Sequence, residues 1–194
     1  MEITSAQIKE LRDKTGISVM QCKKSLEEAE GDMEKALIIL KKKRSEAAEK
    51  KSDREFGAGV VGTYVHNTNE VAAMVQLVCE TDFVSKNEEF VTLAKEIAMH
   101  VAAQDPKYVS RDEVDEAAME KAREVFSEEV ADKPADMQAK ILEGKLNSYF
   151  KEQILLEQPF IKNPDTTIGE MVTGAVQKFG ENVSIAGISR LSIK

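Results

Sequence analysis

The stretch GAGVVGTYVHNTNEVAAMVQLVCETDFVSKNEEFVTLAKEIAMHVAA, residues 57–103, decides the fold class because its hydrophobic period changes within it. Val60–Val65 and Val71–Cys79 are valine-rich and suit strands, and the polar HNTNE between them is turn chemistry, so a β-hairpin is expected. In its second strand Ala73, Val75, Leu77 and Cys79 share one face. After a turn over ETDFVSKN the period becomes helical: Phe90, Leu93, Ile97 and Val101 recur at steps of three and four. Asp105-Pro106 ends that helix. Further on, Ser110 and Glu113 read as a capping box opening an acidic helix with Val114, Ala118, Val125 and Phe126, which Pro134 breaks. Met137, Ile141, Leu142, Leu146 and Tyr149 mark the next helix. Together they predict a projecting, well-solvated antiparallel helical hairpin over about 111–152. Thr167 and Glu170 cap one more helix, closed by Gly180. The tail ENVSIAGISRLSI alternates, with Val183, Ile185, Leu191 and Ile193 on one face, and is expected to add a third strand. The expected class is α+β: a small three-stranded antiparallel sheet packed by helices.

Working towards the N-terminus, the charge changes sign. The 194-residue chain has net charge −8, yet residues 1–54 hold 13 Lys and Arg against 11 acids, while 55–194 hold 14 against 24. The break follows the run KKKRSEAAEKKSDRE, read as a helical extension or linker, and places a domain boundary near residue 54. Residues 1–54 read as three short helices. Ser5 is placed as the first cap, with Ile8 and Leu11 inward and Thr15-Gly16 as the stop. Ser18 and Gln21 open the second helix, and Gly31-Asp32 ends it and caps the third, whose apolar face is Ala36, Leu37, Ile39 and Leu40. Such a head is marginal on size alone and gains from a partner or from the 55–194 body.

Catalytic vocabulary is scarce. Gly57-Ala58-Gly59-Val60-Val61-Gly62 matches G-x-G-x-x-G, but a dinucleotide site needs a strand before and a helix after, and here the order is reversed. The glycines are read instead as easing a turn into a strand. His66 reads as a hairpin-turn residue and His100 as lying near the edge of an apolar helix face. The two are far apart in the chain, with no C-x-x-C or H-E-x-x-H, so no metal set and no cofactor is expected. Cys22 and Cys79 are read as small buried hydrophobes, and lone thiols suit a reducing cytoplasm. The acidic balance argues against a direct nucleic-acid binder, which needs clustered Lys and Arg. No apolar run approaches a membrane span, and the opening MEITSAQIKE lacks the layout of a secretory signal.

One residue resists a structural reading: Phe83, after Asp82, sits in a turn that would ordinarily take small polar residues. Either it folds back onto the core or it forms a hydrophobic finger, since aromatic loop residues are common protein-binding anchors.

At this point LRDKTGISVMQCKKSL (11–26) and LVCETDFVSK (77–86) resemble the two signature segments of the bacterial elongation factor Ts family, in order and at a familiar separation. The resemblance continues through EIAMHVAA (96–103), EQPFIKNPDTTIGEMV (157–172) and the C-terminal strand. Ser25 stands where the family usually has alanine or valine, and Gln76 where an acid is common. The chain looks like a short-form member with one core repeat. The resemblance implies a non-enzymatic guanine nucleotide exchange factor for elongation factor Tu, with an N-terminal domain of the ubiquitin-associated type. It implies that Thr81, Asp82, Phe83 and Val84 meet the GTPase near its nucleotide site, Phe83 inserting and disturbing the bound magnesium. It implies further contacts through Lys9, Arg12, Val19 and Met20, Val19 replacing a methionine of some relatives. In short members it implies a homodimer built through the sheets. The competing reading from the residues is an adaptor that binds partners through its three-helix head without promoting exchange.

Overall fold

In a computed structural model describing residues 3–132 and 134–193, the three helices of the head are α1 (Ser5–Thr15), α2 (Val19–Glu28) and α3 (Met33–Glu49). Thr4, rather than Ser5, caps α1. Its hydroxyl accepts from the Gln7 N–H at 3.3 Å and its own N–H donates to the Gln7 side chain at 3.0 Å, a reciprocal box that Ser5, with Ile8 three residues on, could not make. Gly16 takes φ +67° and lets its N–H close onto the Arg12 carbonyl. Ser18 caps α2, and Asp32 caps α3 with bonds from the Glu34 and Lys35 N–H groups. The apolar faces meet in one cluster, with Leu11, Cys22, Leu26 and Ala36 fully buried and Ile17 and Leu40 nearly so.

The chain falls into two units, Met1–Glu55 with Thr173–Asn182, and Phe56–Val172 with Val183–Lys194. In the first, Arg44 joins distant stretches: it donates to the Thr15 carbonyl at 2.6 Å and to Gln177 Oε1 at 3.1 Å. A cation on the last carbonyls of α1 also complements that helix's dipole.

The second unit holds the sheet. Strands β1 (Ala58–Val65) and β2 (Val71–Cys79) form the hairpin, then come α4 (Asp82–Ser85), α5 (Glu88–Gln104), α6 (Glu116–Val130) and α7 (Ala135–Lys151). A two-stranded ribbon of β3 (Pro159–Phe160) and β4 (Asn163–Thr167) precedes α8 (Ile168–Phe179) and β5 (Val183–Ser192). The sheet is antiparallel in order β1-β2-β5. Ala73, Val75, Leu77 and Cys79 are buried, as their alternation requires, and α5 supplies Phe90, Ala94, Ile97, Ala98 and Val101 to the same core. The G-x-G-x-x-G run opens an antiparallel edge strand. At Gly59 a Cβ would sit 2.6 Å from the Leu77 carbonyl oxygen, and at Gly62 2.3 Å from the Ala94 backbone, so the first allows close approach of the two strands and the second close packing of strand on helix.

Three further local expectations change. The third strand forms, but only half its expected face is buried: Val183 and Ile185 are inside, whereas Leu191 is 69% and Ile193 75% exposed. The β2–β5 register shifts between Gln76 and Leu77, which face Gly187 and Ile185, leaving Ala186 as an extra residue. One inserted residue moves every later side chain to the opposite face. Ser110 and Glu113 do not open α6. Asp115 does, accepting from the Ala118 N–H at 2.6 Å, while the Glu113 carboxylate accepts from the Val109 N–H at 2.7 Å in a separate 3-10 turn. His100 is fully buried rather than at a helix edge. Its Nε2 lies 2.8 Å from Gln158 Oε1 and its Nδ1 accepts from the Ile161 N–H at 3.4 Å, a pairing that fixes a neutral ring with the proton on Nε2.

Helices α6 and α7 pack together around Ala122, Leu146, Phe150 and Ile154, with Lys145 bonded to Glu129 at 2.6 Å. At the base of this hairpin the Leu155 and Leu156 N–H groups donate to the Tyr108 and Val109 carbonyls. Among the described residues no helix is long and apolar enough to cross a membrane.

Candidate functional site

The link from the sheet to α5 holds a short helix instead of a plain turn. After Cys79 closes β2, Thr81 takes the N-cap position of α4, and the Cys79 thiol donates to the Thr81 carbonyl at 3.2 Å. The Ser85 and Lys86 N–H groups return to the Thr81 and Asp82 carbonyls, and the Asn87 side chain then caps α5 by accepting from the Glu89 N–H at 2.9 Å. Thr81 itself makes no side-chain capping bond, so the segment is held by these backbone bonds at its start and by the Asn87 cap where α5 begins.

Phe83 projects from it into solvent at 82% exposure, which separates the two readings its sequence left open. The flanking residues explain why the backbone holds this posture. Cys79 and Phe90 are fully buried, Val84 is 3% exposed and Ser85 is buried with its hydroxyl on the Asp82 carbonyl at 3.2 Å. Behind them the Gly57 N–H donates to the Cys79 carbonyl, and a Cβ on Gly57 would lie 2.7 Å from the Glu80 carbonyl oxygen. Thr81 and Asp82 are exposed beside the ring. Val84 is buried as an anchor, so the accessible residues at the start of the segment are Thr81, Asp82 and Phe83.

Asp82 forms an ion pair with Lys86 one turn on, Nζ to Oδ2 2.6 Å, both side chains exposed. The hydrogen bond and charge of Lys86 hold the Asp82 carboxyl below its ordinary value. Lys86 is a charged neighbour of the candidate segment that sequence reading missed. Its i+4 spacing from Asp82 would have shown it, had a helix been expected across 82–86.

In the other unit, Lys9 and Arg12 are exposed on α1 one turn apart, and Val19 and Met20, 53% and 70% exposed, open α2 after the Gly16 turn. Two large apolar side chains standing in water at the start of α2 are a feature suited to a protein partner. The thiols of Cys22 and Cys79 are both buried. Among the described residues no three His, Cys, Asp or Glu side chains group as a metal-binding set.

A family model described as "Elongation factor TS" matches residues 48–193. Curated relatives named "Elongation factor Ts" align over nearly all of the chain. That of Carboxydothermus hydrogenoformans is 46% identical over 193 residues, 98% of this chain and 89% of the relative. Those of Thermodesulfovibrio yellowstonii and Thermosipho melanesiensis are 43% and 42% identical, covering 97% and 98% of the relatives' own lengths.

Proposed function

The chain belongs to the elongation factor Ts family, and on that premise we propose that it is a guanine nucleotide exchange factor for elongation factor Tu, acting in the cytoplasm. It performs no chemical step of its own. Its work is a coupling free energy: a factor that weakens GDP on the GTPase must itself be weakened by GDP to the same degree, about 1.4 kcal/mol for each tenfold.

The observation that carries the mechanism is the exposed Phe83 on an anchored backbone. The ring inserts between elements of the GTPase near its magnesium site, and Asp82, held by Lys86, orients polar groups at the rim. Displacing the cation leaves phosphate charge uncompensated, and GDP leaves. Lys9, Arg12, Val19 and Met20 hold the GTPase through a second contact. The test is release of a fluorescent GDP analogue from elongation factor Tu in a stopped-flow instrument. No acceleration by this protein refutes the function, and full acceleration by Phe83→Ala refutes the wedge.

A homodimer belongs to the same reading. On the outer face of the hairpin, Val61, Val65 and Met74 are exposed, and the alternating positions Gly59 to Val65 and Ala72 to Val78 carry no charge. An uncharged apolar sheet face of this kind is supported best as an interface between copies. Light scattering with and without reductant measures it: the dimer mass is expected under both conditions, since both thiols are buried. A monomer under both refutes the dimer.

A further inference from the structure

Apart from the exchange surface, the first unit contains a cleft of about 280 Å³ whose polar lining comes from Gln21, Lys24, Ser25, Lys43, Lys51 and Gln177. Its geometry follows from helical spacing. Leu40, Lys43, Ala47 and Lys51 recur at steps of three and four along α3 and the turn after it, while Gln21, Lys24 and Ser25 share a face of α2. Leu40 and Ala47 supply the apolar part of the wall.

The hydrogen-bonding state of this lining is one-sided. The Gln21 oxygen already accepts from the Ser18 hydroxyl at 2.9 Å, and the Gln177 oxygen from Arg44 Nε at 3.1 Å, so each amide has its NH2 group left to offer. Lys43 is neutralised by Glu28 at 2.6 Å, but Lys24 and Lys51 form no ion pair among the described residues. No carboxylate lines the cleft. Ser25 is fully buried against it, and its hydroxyl has no hydrogen-bond partner. Buried polar atoms are nearly always paired, so an orphan hydroxyl is a feature that a ligand would explain.

We propose that this cleft binds a compact oligophosphate of two or three phosphate groups. Two uncompensated ammonium groups call for a ligand with at least two negative charges, and donors on every polar side call for one rich in acceptor oxygens. The volume is far above the ~10–15 Å³ that a single water needs and suits a chain of linked phosphates better than one ion. None of the lining residues is Lys9, Arg12, Val19, Met20 or part of the Phe83 segment, so the site stands or falls independently of the exchange reading.

The experiment is calorimetric titration of the full chain with sodium tripolyphosphate at low salt, without elongation factor Tu. Saturable binding to one site per chain is expected, weakened at least tenfold in the double variant Lys24→Gln/Lys51→Gln and unchanged in Lys140→Ala on α7. Ser25→Ala, which deletes a donor and no charge, weakens it several-fold, a result that general attraction between lysines and a polyanion does not produce. Absence of saturable heat, equal weakening by Lys140→Ala, or unchanged affinity in Ser25→Ala overturns the proposal. So does binding of an oligouridylate without binding of tripolyphosphate, which would assign the cations to an extended nucleic-acid backbone.

Discussion

Replacing Phe83 by alanine removes a ring that the free protein leaves 82% exposed, so the folded state loses little by it. The thermal midpoint is expected to stay within the shift that about 0.5 kcal/mol produces, the usual range for a surface change. The proposed complex with elongation factor Tu is expected to lose far more. Complete burial of a phenylalanine covers roughly 150 Å², which at ~25 cal/mol per Å² is nearly 4 kcal/mol. Allowing for the area alanine still covers leaves about 3 kcal/mol, or roughly 150-fold. The form of the loss discriminates between two roles. A ring that only adds grip would weaken binding to the GDP-loaded and nucleotide-free GTPase alike, raising the concentration needed while leaving the saturated release rate untouched. A wedge acts on the coupling: the variant should still bind elongation factor Tu, yet at saturation it should release GDP far more slowly, and GDP should displace it less strongly. Stopped-flow release across a concentration series, with equilibrium binding to both forms, separates the two. An unchanged saturated rate refutes the wedge, and a large drop in thermal midpoint refutes the claim that the ring is free of the core.

Three other perturbations test the scaffold. Gly62→Ala would put a Cβ 2.3 Å from the Ala94 backbone and should cost about 2–3 kcal/mol in urea unfolding, whereas Gly144→Ala, with open space around it inside α7, should gain about 0.5–1 kcal/mol. Arg111 grips Glu157 through two bonds of 2.8 Å, and that hydrogen bonding holds the Glu157 carboxyl below its ordinary 4.5; the contribution, about 1 kcal/mol or less, is present above that pH and lost as pH falls through the depressed value, so Glu157→Gln should match the parent in acid and fall behind it near neutrality. Burial pushes His100 below its ordinary 6.5, against a smaller upward effect of Gln158, so between the two values the unfolded chain binds more protons and stability rises with pH; His100→Gln should flatten that segment of a pH series of unfolding midpoints.

Much of the architecture was legible because it depends on short-range rules. Gly16, Gly31 and Gly180 take positive φ where helices were expected to stop, and Ala73, Val75, Leu77 and Cys79 are buried as their alternation predicts. What escaped depends on numbers that no local pattern shows. Leu191 and Ile193 continue the parity of Val183 and Ile185, and one bulge at Ala186 reverses it without leaving a motif. Ser110 and Asp115 are both competent caps, and Glu113 chose between them by bonding to Val109. His100 looked like an edge residue because its partners Gln158 and Ile161 lie about sixty positions away. At the candidate site the aromatic in a polar turn was visible, but its exposure was not: that depends on Val84 and Ser85 turning inward as α4 forms, a helix too short to show a period.

That short helix also explains why an exposed ring is tolerable and useful. Leaving Phe83 in water forfeits burial energy that folding would otherwise gain, so the backbone must oppose its collapse onto the core. The opposition comes from the flanking residues Cys79, Val84 and Phe90, which are buried and tie the backbone to the core, and from the Asn87 cap that follows. A flexible loop carrying the same residue would have to be ordered on contact, at roughly 1–2 kcal/mol for each residue fixed. Here that cost falls on folding, so under the proposed wedge most of the ring's burial energy would remain available to oppose nucleotide on the GTPase. An exchange factor needs that economy more than an ordinary binder does, because its affinity is spent in competition with GDP rather than accumulated. The Asp82–Lys86 pair is consistent with the same demand: it links the start of α4 to the residue after it while both side chains stay exposed, so it adds no buried charge that binding would have to desolvate.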